Sequence, residues 1–436
     1  MIGGVLSVVG FNLVDAYFLG QYGEKLPEEL RKLPLAAIGF AAPVVLVLNA
    51  LGMGFGTGAA AVISRAVGEG DREKIKRLTT DSLSLALIFA LMFVISGLVS
   101  IDPLFRALGA GDAVMPYIKD YMYVWYIGVV FVIVPFVGNA GLRAAGDART
   151  PAIIMMSMVG LNLILDPLLI FGWGPVPSMG MEGAALATVL ARALSLVLGL
   201  YFLRKRNMLT FSFPAFPTLW LSWKSILHIG LPAAATNLVV PLTTSLIVRI
   251  TAQFGPAAVA ALGVAARIDV LAITVVVALS SILGPFVGQN LGAKRLDRVR
   301  KGINLSIRFG LVWGVAMFGL MFLLKDYIAP VFNDDPEVVG ALILYLSIAP
   351  FGYAMRSVYA LGNTLLNVLN RPYHASAITL VMMFCIYLPL AWIGSEKFGL
   401  GGVFAAIPIA FTLGGSISYW ILMKELKKEE QKAEAV

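Results

Sequence analysis

Runs of about 20 apolar residues recur twelve times along this chain, and that recurrence constrains its fold more than any motif does. The runs are residues 2–20, 35–62, 81–101, 117–140, 151–172, 183–203, 226–253, 259–287, 302–324, 338–360, 372–394 and 399–423. Each is long enough to cross a hydrocarbon layer of about 30 Å as a helix. The 436 residues are 59% hydrophobic and 13% charged, against about 45–50% and 25% in soluble chains. Mean hydropathy is +0.87. A soluble enzyme or nucleic-acid-binding module is excluded, and the expected fold is an all-α polytopic membrane protein of twelve transmembrane helices. Prolines such as Pro43, Pro135, Pro167 and Pro350 fall inside the runs, which membrane helices tolerate because neighbours satisfy the freed backbone groups.

Scarce residue types narrow the chemistry. One cysteine, Cys385, rules out an intrachain disulfide or thiolate cage, and the two histidines, His228 and His374, stand far apart. No cofactor is expected. Residues 2–20 lack a basic leader and an A-x-A site, so the first span is read as its own insertion signal. The net charge of +8 is mostly topological. If the loop at 63–80 is cytoplasmic and the loops alternate, 21 Lys and Arg residues lie on the cytoplasmic side and 7 outside. That bias places both termini in the cytoplasm of a cell-membrane protein and needs no nucleic acid to explain it.

The chain also repeats itself with a shift of about 224 residues. Leu35-Ala36-Ala37-Ile38-Gly39-Phe40 matches Val259-Ala260-Ala261-Leu262-Gly263-Val264, and Gly68 matches Gly292. A basic amphipathic stretch follows each of these spans. Later, Arg149-Thr150-Pro151 matches Asn370-Arg371-Pro372, and Gly180–Gly183 matches Gly399–Gly402. Two six-helix lobes are expected, 1–206 and 225–423, joined by a linker at 207–224 and followed by a solvated tail at 424–436. An even helix count per lobe makes this a parallel repeat, an arrangement typical of secondary transporters.

Ionisable residues inside a span cost about 2.5–3.5 kcal/mol or more and so mark function. The first lobe has Asp15, in Gly10-Phe11-Asn12-Leu13-Val14-Asp15, and Asp166, in Asn162-Leu163-Ile164-Leu165-Asp166-Pro167. Asn162 and Asp166 share a helix face, and Pro167 cannot donate to the carbonyl of Leu163. Asp15, Asp166 and Thr188 each fall about 7–9 Å from the outer end of their span. The matching second-lobe positions, near Ile247, Tyr387 and Ile407, carry no acid. A carboxylate out of water beside a second one can trade charge for a proton, as a proton carrier does. Alternatively, Asp15, Asn162, Asp166 and Thr188 offer hard oxygen ligands to Na⁺. Arg249, Arg267, Asp269 and Arg192 read as snorkelling or locally paired charges.

In these residues the chain resembles the multidrug and toxic compound extrusion (MATE) family over essentially all of its length. The N-lobe acids are most similar to the DinF-like prokaryotic branch, because the NorM-like branch relies on acids in spans 7 and 10, which have none here. The resemblance implies coupling roles for Asp15, Asn162, Asp166 and Thr188. It implies a non-enzymatic, monomeric, H⁺- or Na⁺-coupled antiporter that exports amphipathic, often cationic drugs and touches only small molecules and membrane lipids. Family members carry a longer first helix with a proline well before the acid, whereas this chain begins 14 residues before Asp15. A flippase for lipid-linked saccharides or lipids, from the same superfold, is the alternative. An intramembrane enzyme, such as a prenyltransferase or protease, would need paired Asp-rich motifs, a Gly-x-Gly-Asp turn or Ser with His, and Ala145-Gly146-Asp147 lacks the first glycine of such a turn and lies in a cytoplasmic loop.

Overall fold

The computed structural model describes residues 17–22, 24, 27–212 and 215–434, and among these it has helices and turns but no β-strand. The helices are α1 (Leu33–Glu69), α2 (Arg72–Ala107), α3 (Met115–Ile127), α4 (Val130–Ala144), α5 (Arg149–Phe171), α6 (Gly180–Lys205) and α7 (Phe216–Thr251). They continue as α8 (Pro256–Gly292), α9 (Leu296–Phe332), α10 (Pro336–Ile348), α11 (Tyr353–Val368), α12 (Pro372–Leu380) and α13 (Leu388–Glu434). Local chemistry starts several of them. The Asp71 carboxylate accepts from the backbone N–H of Lys74 at 3.0 Å to cap α2, and Asp335 accepts from Glu337 at 2.9 Å to cap α10. Pro256, Pro336 and Pro372 occupy the first turns of α8, α10 and α12, where no N–H is missed.

Nine helices among the described residues are long and apolar enough to span a membrane, or ten if α3 and α4, bent by 42°, form one span. The run Pro372–Ala433 is too long for one crossing and divides at Gly399, whose φ of 62° is closed to most other residues. A β-carbon built on Gly394 or on Gly402 would collide with the other residue's backbone. Eight residues of straight helix would hold these two about 12 Å apart, so the chain turns back here as a tight hairpin. Side chains such as Ile164, Val312 and Leu323 are 65%, 69% and 74% exposed. So much open apolar surface suits lipid, not water.

By internal contacts the chain forms two compact units, 1–63 with 71–234, and 64–70 with 235–436. The first is cored by Phe105, Ile118, Met122, Trp125 and Ile133, and the second by Ile247, Ala265, Ile268, Leu342, Tyr345, Phe404 and Ile407. The last two turns of α1 therefore pack in the second unit. There, a side chain at Gly68 would strike the carbonyl of Gln289, and one at Gly292 the carbonyl of Arg65. These are the glycines matched by the sequence repeat, and each lies against the helix of the other.

The C-terminal run differs from the solvated tail expected. It extends α13 and docks on its own unit: Leu422 and Leu426 are fully buried, and Glu425 accepts from Arg371 Nε at 2.6 Å. Glu430 pairs with Arg300 at 3.3 Å. Its alternating charges disguise an apolar face.

Candidate functional site

Asp166, a fully buried acid of the first unit, is positioned by one helical hairpin. α5 ends in Phe171-Gly172-Trp173-Gly174-Pro175, where Gly172 and Gly174 take φ of 77° and 60°. The turn closes when Ser178 Oγ donates to the carbonyl of Ile170 at 2.8 Å and the Met179 N–H donates to Leu169 at 2.9 Å. α6 then runs back along α5, so close that a β-carbon on Gly183 would touch the Leu169 carbonyl. From that crossing Asp166 is three residues down α5 and Thr188 five residues down α6. The two therefore lie at levels within about 3 Å of each other.

Asp166, Asn162 and Thr188 are 0%, 1% and 2% exposed. Asn162 Nδ2 donates to Asp166 Oδ1 at 3.0 Å, as the four-residue spacing predicts. The amide oxygen of Asn162 remains an acceptor, so what this group offers an incoming cation is oxygen only. Asp15, the fourth residue of the expected site, lies outside the described residues. One turn beyond Thr188, Arg192 does not snorkel; its guanidinium stands 5.8 Å over the ring of buried Trp125.

The start of α5 is pinned by Asp147, in the loop after α4. Its Oδ1 accepts from the N–H groups of Arg149 and Thr150 at 3.1 and 3.0 Å, and its Oδ2 meets Arg206 at 2.5 Å. Burial raises the pKa of this carboxyl, but the hydrogen bonds of Thr150 and the charge of Arg206 outweigh it and hold the value below the ordinary carboxylate range. A depressed pKa contributes stability above the unfolded-state value, which is lost as pH falls through the folded one. Asp147→Ala is expected to cost about 1–2 kcal/mol at pH 7. The difference from wild type should fade below about pH 4, as read by thermal unfolding across a pH series.

Sequence reasoning missed a second cluster, wholly inside the second unit. Ile247 and Ile407, two of the positions matching the first-lobe site, are apolar core. Asp269, on α8, is nonetheless a buried acid. It does not pair with Arg267, which is exposed. Its Oδ1 accepts from Tyr353 Oη at 2.6 Å, and its Oδ2 accepts from Tyr345 Oη at 3.1 Å and Arg356 Nη1 at 2.5 Å. The clamp closes over a mid-span break: α10 ends at Ile348, a 3₁₀ turn covers Ala349–Gly352, and α11 begins at Tyr353. Pro350, with no N–H, accounts for the break. The signal available in the sequence was Arg356, an unexplained cation 87 positions from its acid.

Long apolar helices in two units, with ionisable side chains held at helix irregularities, define a multi-pass membrane transporter. The comparisons with known proteins agree. The MatE family model matches residues 1–168 and 232–393. The FAD transporter of Shewanella oneidensis is 36% identical over 422 residues, covering 97% of this chain and 92% of that protein. The multidrug export protein MepA of Staphylococcus aureus is 26% identical over 416 residues, covering 95% and 89%. The Vibrio cholerae MATE transporter VcmN, in its bent form, superposes with a TM-score of 0.91 at 29% identity, covering 99% and 95%. This chain belongs to the MATE family of membrane transporters.

Proposed function

We propose that this protein is a cation-coupled export antiporter of the DinF-like branch, working by alternating access. Its coupling site is Asp15, Asn162, Asp166 and Thr188, and its coupling ion is H⁺ or Na⁺. The observation that carries this reading is the fully buried Asn162–Asp166 pair, with buried Thr188 at about the same level of the neighbouring helix. An acid is retained at that depth against its desolvation cost because its charge changes during the cycle. Binding of the cation there resets the transporter after cargo leaves. The end bearing most of the basic loops, with both termini, faces the cytoplasm of a cell-membrane protein. The lobes are 1–206 and 225–423, and the protein acts as a monomer on small molecules without chemical conversion.

The cargo follows from two readings. The MepA relatives, multidrug export proteins by name, support drugs as cargo, which the family resemblance makes amphipathic and often cationic. The 36% identity to the Shewanella FAD transporter, together with a mid-span arginine in the second unit, favours a planar, phosphorylated cargo of the flavin dinucleotide kind.

The test is reconstitution in proteoliposomes with pH and Na⁺ gradients imposed one at a time, following ethidium and FAD. Accumulation of either cargo against its own gradient, driven by one of the two ions, is expected. Equilibration alone, indifferent to both ions, would sink the antiporter reading.

A further inference from the structure

The geometry points to a second polar site inside the second unit, where Arg356 takes an oxyanion of the substrate and Asp269 acts as the positioning residue that aims it. The site rests on the flavin reading only for the identity of the cargo; its chemistry is that of any planar molecule bearing a phosphate, sulfonate or carboxylate.

Four observations converge. First, Arg356 is near the middle of a span, only four residues past the break that ends at Gly352. Cations at such depth face protein or a water-filled cavity, not lipid. Second, the guanidinium is fixed but not saturated. Asp269 occupies Nη1, and the Phe411 ring lies 5.2 Å from Arg356 Cζ. The remaining N–H groups have no acceptor among the described residues, and the side chain keeps 24% of its exposure. A fork held by one carboxylate offers its other edge to a second oxyanion in bidentate fashion.

Third, Asp269 is itself saturated by Tyr345, Tyr353 and Arg356, so it orients the arginine and has no donor to offer an anion. Fourth, seven residues on, and so on the same face of α11, stands Asn363. Its Nδ2 donates to Thr379 Oγ1 at 3.1 Å, while its Oδ1 is buried with no partner. A buried acceptor about 10 Å along the helix from a free cationic fork suits a ligand with an oxyanion at one end and a ring N–H at the other. Two irregular segments border the place, the 3₁₀ turn at Ala349–Gly352 and a π-helical stretch at Val381–Tyr387. Such irregularities often accompany binding sites in membrane helices.

Riboflavin, which shares the flavin ring but lacks phosphate, gives a direct test. Purified full-length protein in nanodiscs is titrated with FAD, FMN and riboflavin by flavin fluorescence. The wild type is expected to prefer FMN and FAD over riboflavin by about tenfold or more. In the double variant Asp269→Asn/Arg356→Gln, which leaves no buried charge unpaired, that ratio should fall to about twofold or less. A ratio equal to the wild type overturns the site. Should the double variant fail to fold, Arg356→Lys keeps the charge but loses the fork, and its preference should drop about threefold or more; an unchanged preference contradicts the proposal. If no flavin binds, sulforhodamine B and rhodamine 6G replace the flavins. An Arg356-dependent preference for the sulfonate then upholds the site and discards the flavin reading, and its absence overturns the site.

Discussion

Asp166→Asn is expected to leave a folded transporter whose substrate affinity no longer responds to the proposed coupling ion. In the wild type, raising that ion is expected to weaken substrate binding, because the proposed cycle puts cation and cargo in opposite phases and linkage makes the effect reciprocal. Coupling free energies of about 1–3 kcal/mol correspond to shifts of roughly 5- to 150-fold. Asparagine keeps the size and the hydrogen-bonding capacity that Asn162 meets at 3.0 Å, but it carries no charge to neutralise. Substrate titrations across pH, and across Na⁺ at fixed pH, should therefore be flat within about twofold in the variant. A variant that still responds like the wild type would remove Asp166 from the coupling site. Thr188→Ala, which deletes one oxygen, is expected to weaken a Na⁺ response and leave an H⁺ response in place.

The largest loss of stability is expected from Asp269→Ala. The substitution strands the Arg356 guanidinium in a half-buried place and leaves the hydroxyls of Tyr345 and Tyr353 without their acceptor. Breaking a buried pair from one side costs about 3–5 kcal/mol, mostly the penalty of the orphaned partner. That is large against a typical total stability of about 5–15 kcal/mol. The double variant Asp269→Asn/Arg356→Gln should cost much less, because both charges leave together. Thermal unfolding of the detergent-purified protein separates the two. Equal melting of Asp269→Ala and wild type would show that the cluster is solvated in place and not clamped.

The spans were legible because a run of 20 apolar residues has few other uses, and the helical hairpin at Gly399 falls where the repeat divides the last two spans. The Asn162–Asp166 pair was legible for a local reason, the four-residue spacing on one helix. What escaped is non-local. Asp269 and Arg356 meet only because α8 packs against α10 and α11, and no spacing rule links positions 87 apart. The break at Ala349–Gly352 escaped because a single proline in a membrane helix usually bends the helix without ending it. The docked C-terminal helix was read as solvated because charges dominate its composition, although Leu422 and Leu426 anchor its apolar face.

The central claim is that Asp15 and Asp166 carry the cation that drives export. Its most direct test is uphill substrate transport into proteoliposomes under a single imposed gradient, comparing wild type with Asp15→Asn/Asp166→Asn. The account predicts that the double variant loses gradient-driven accumulation by about a hundredfold or more while still exchanging substrate downhill across the membrane. Undiminished accumulation against a gradient in that variant would contradict it.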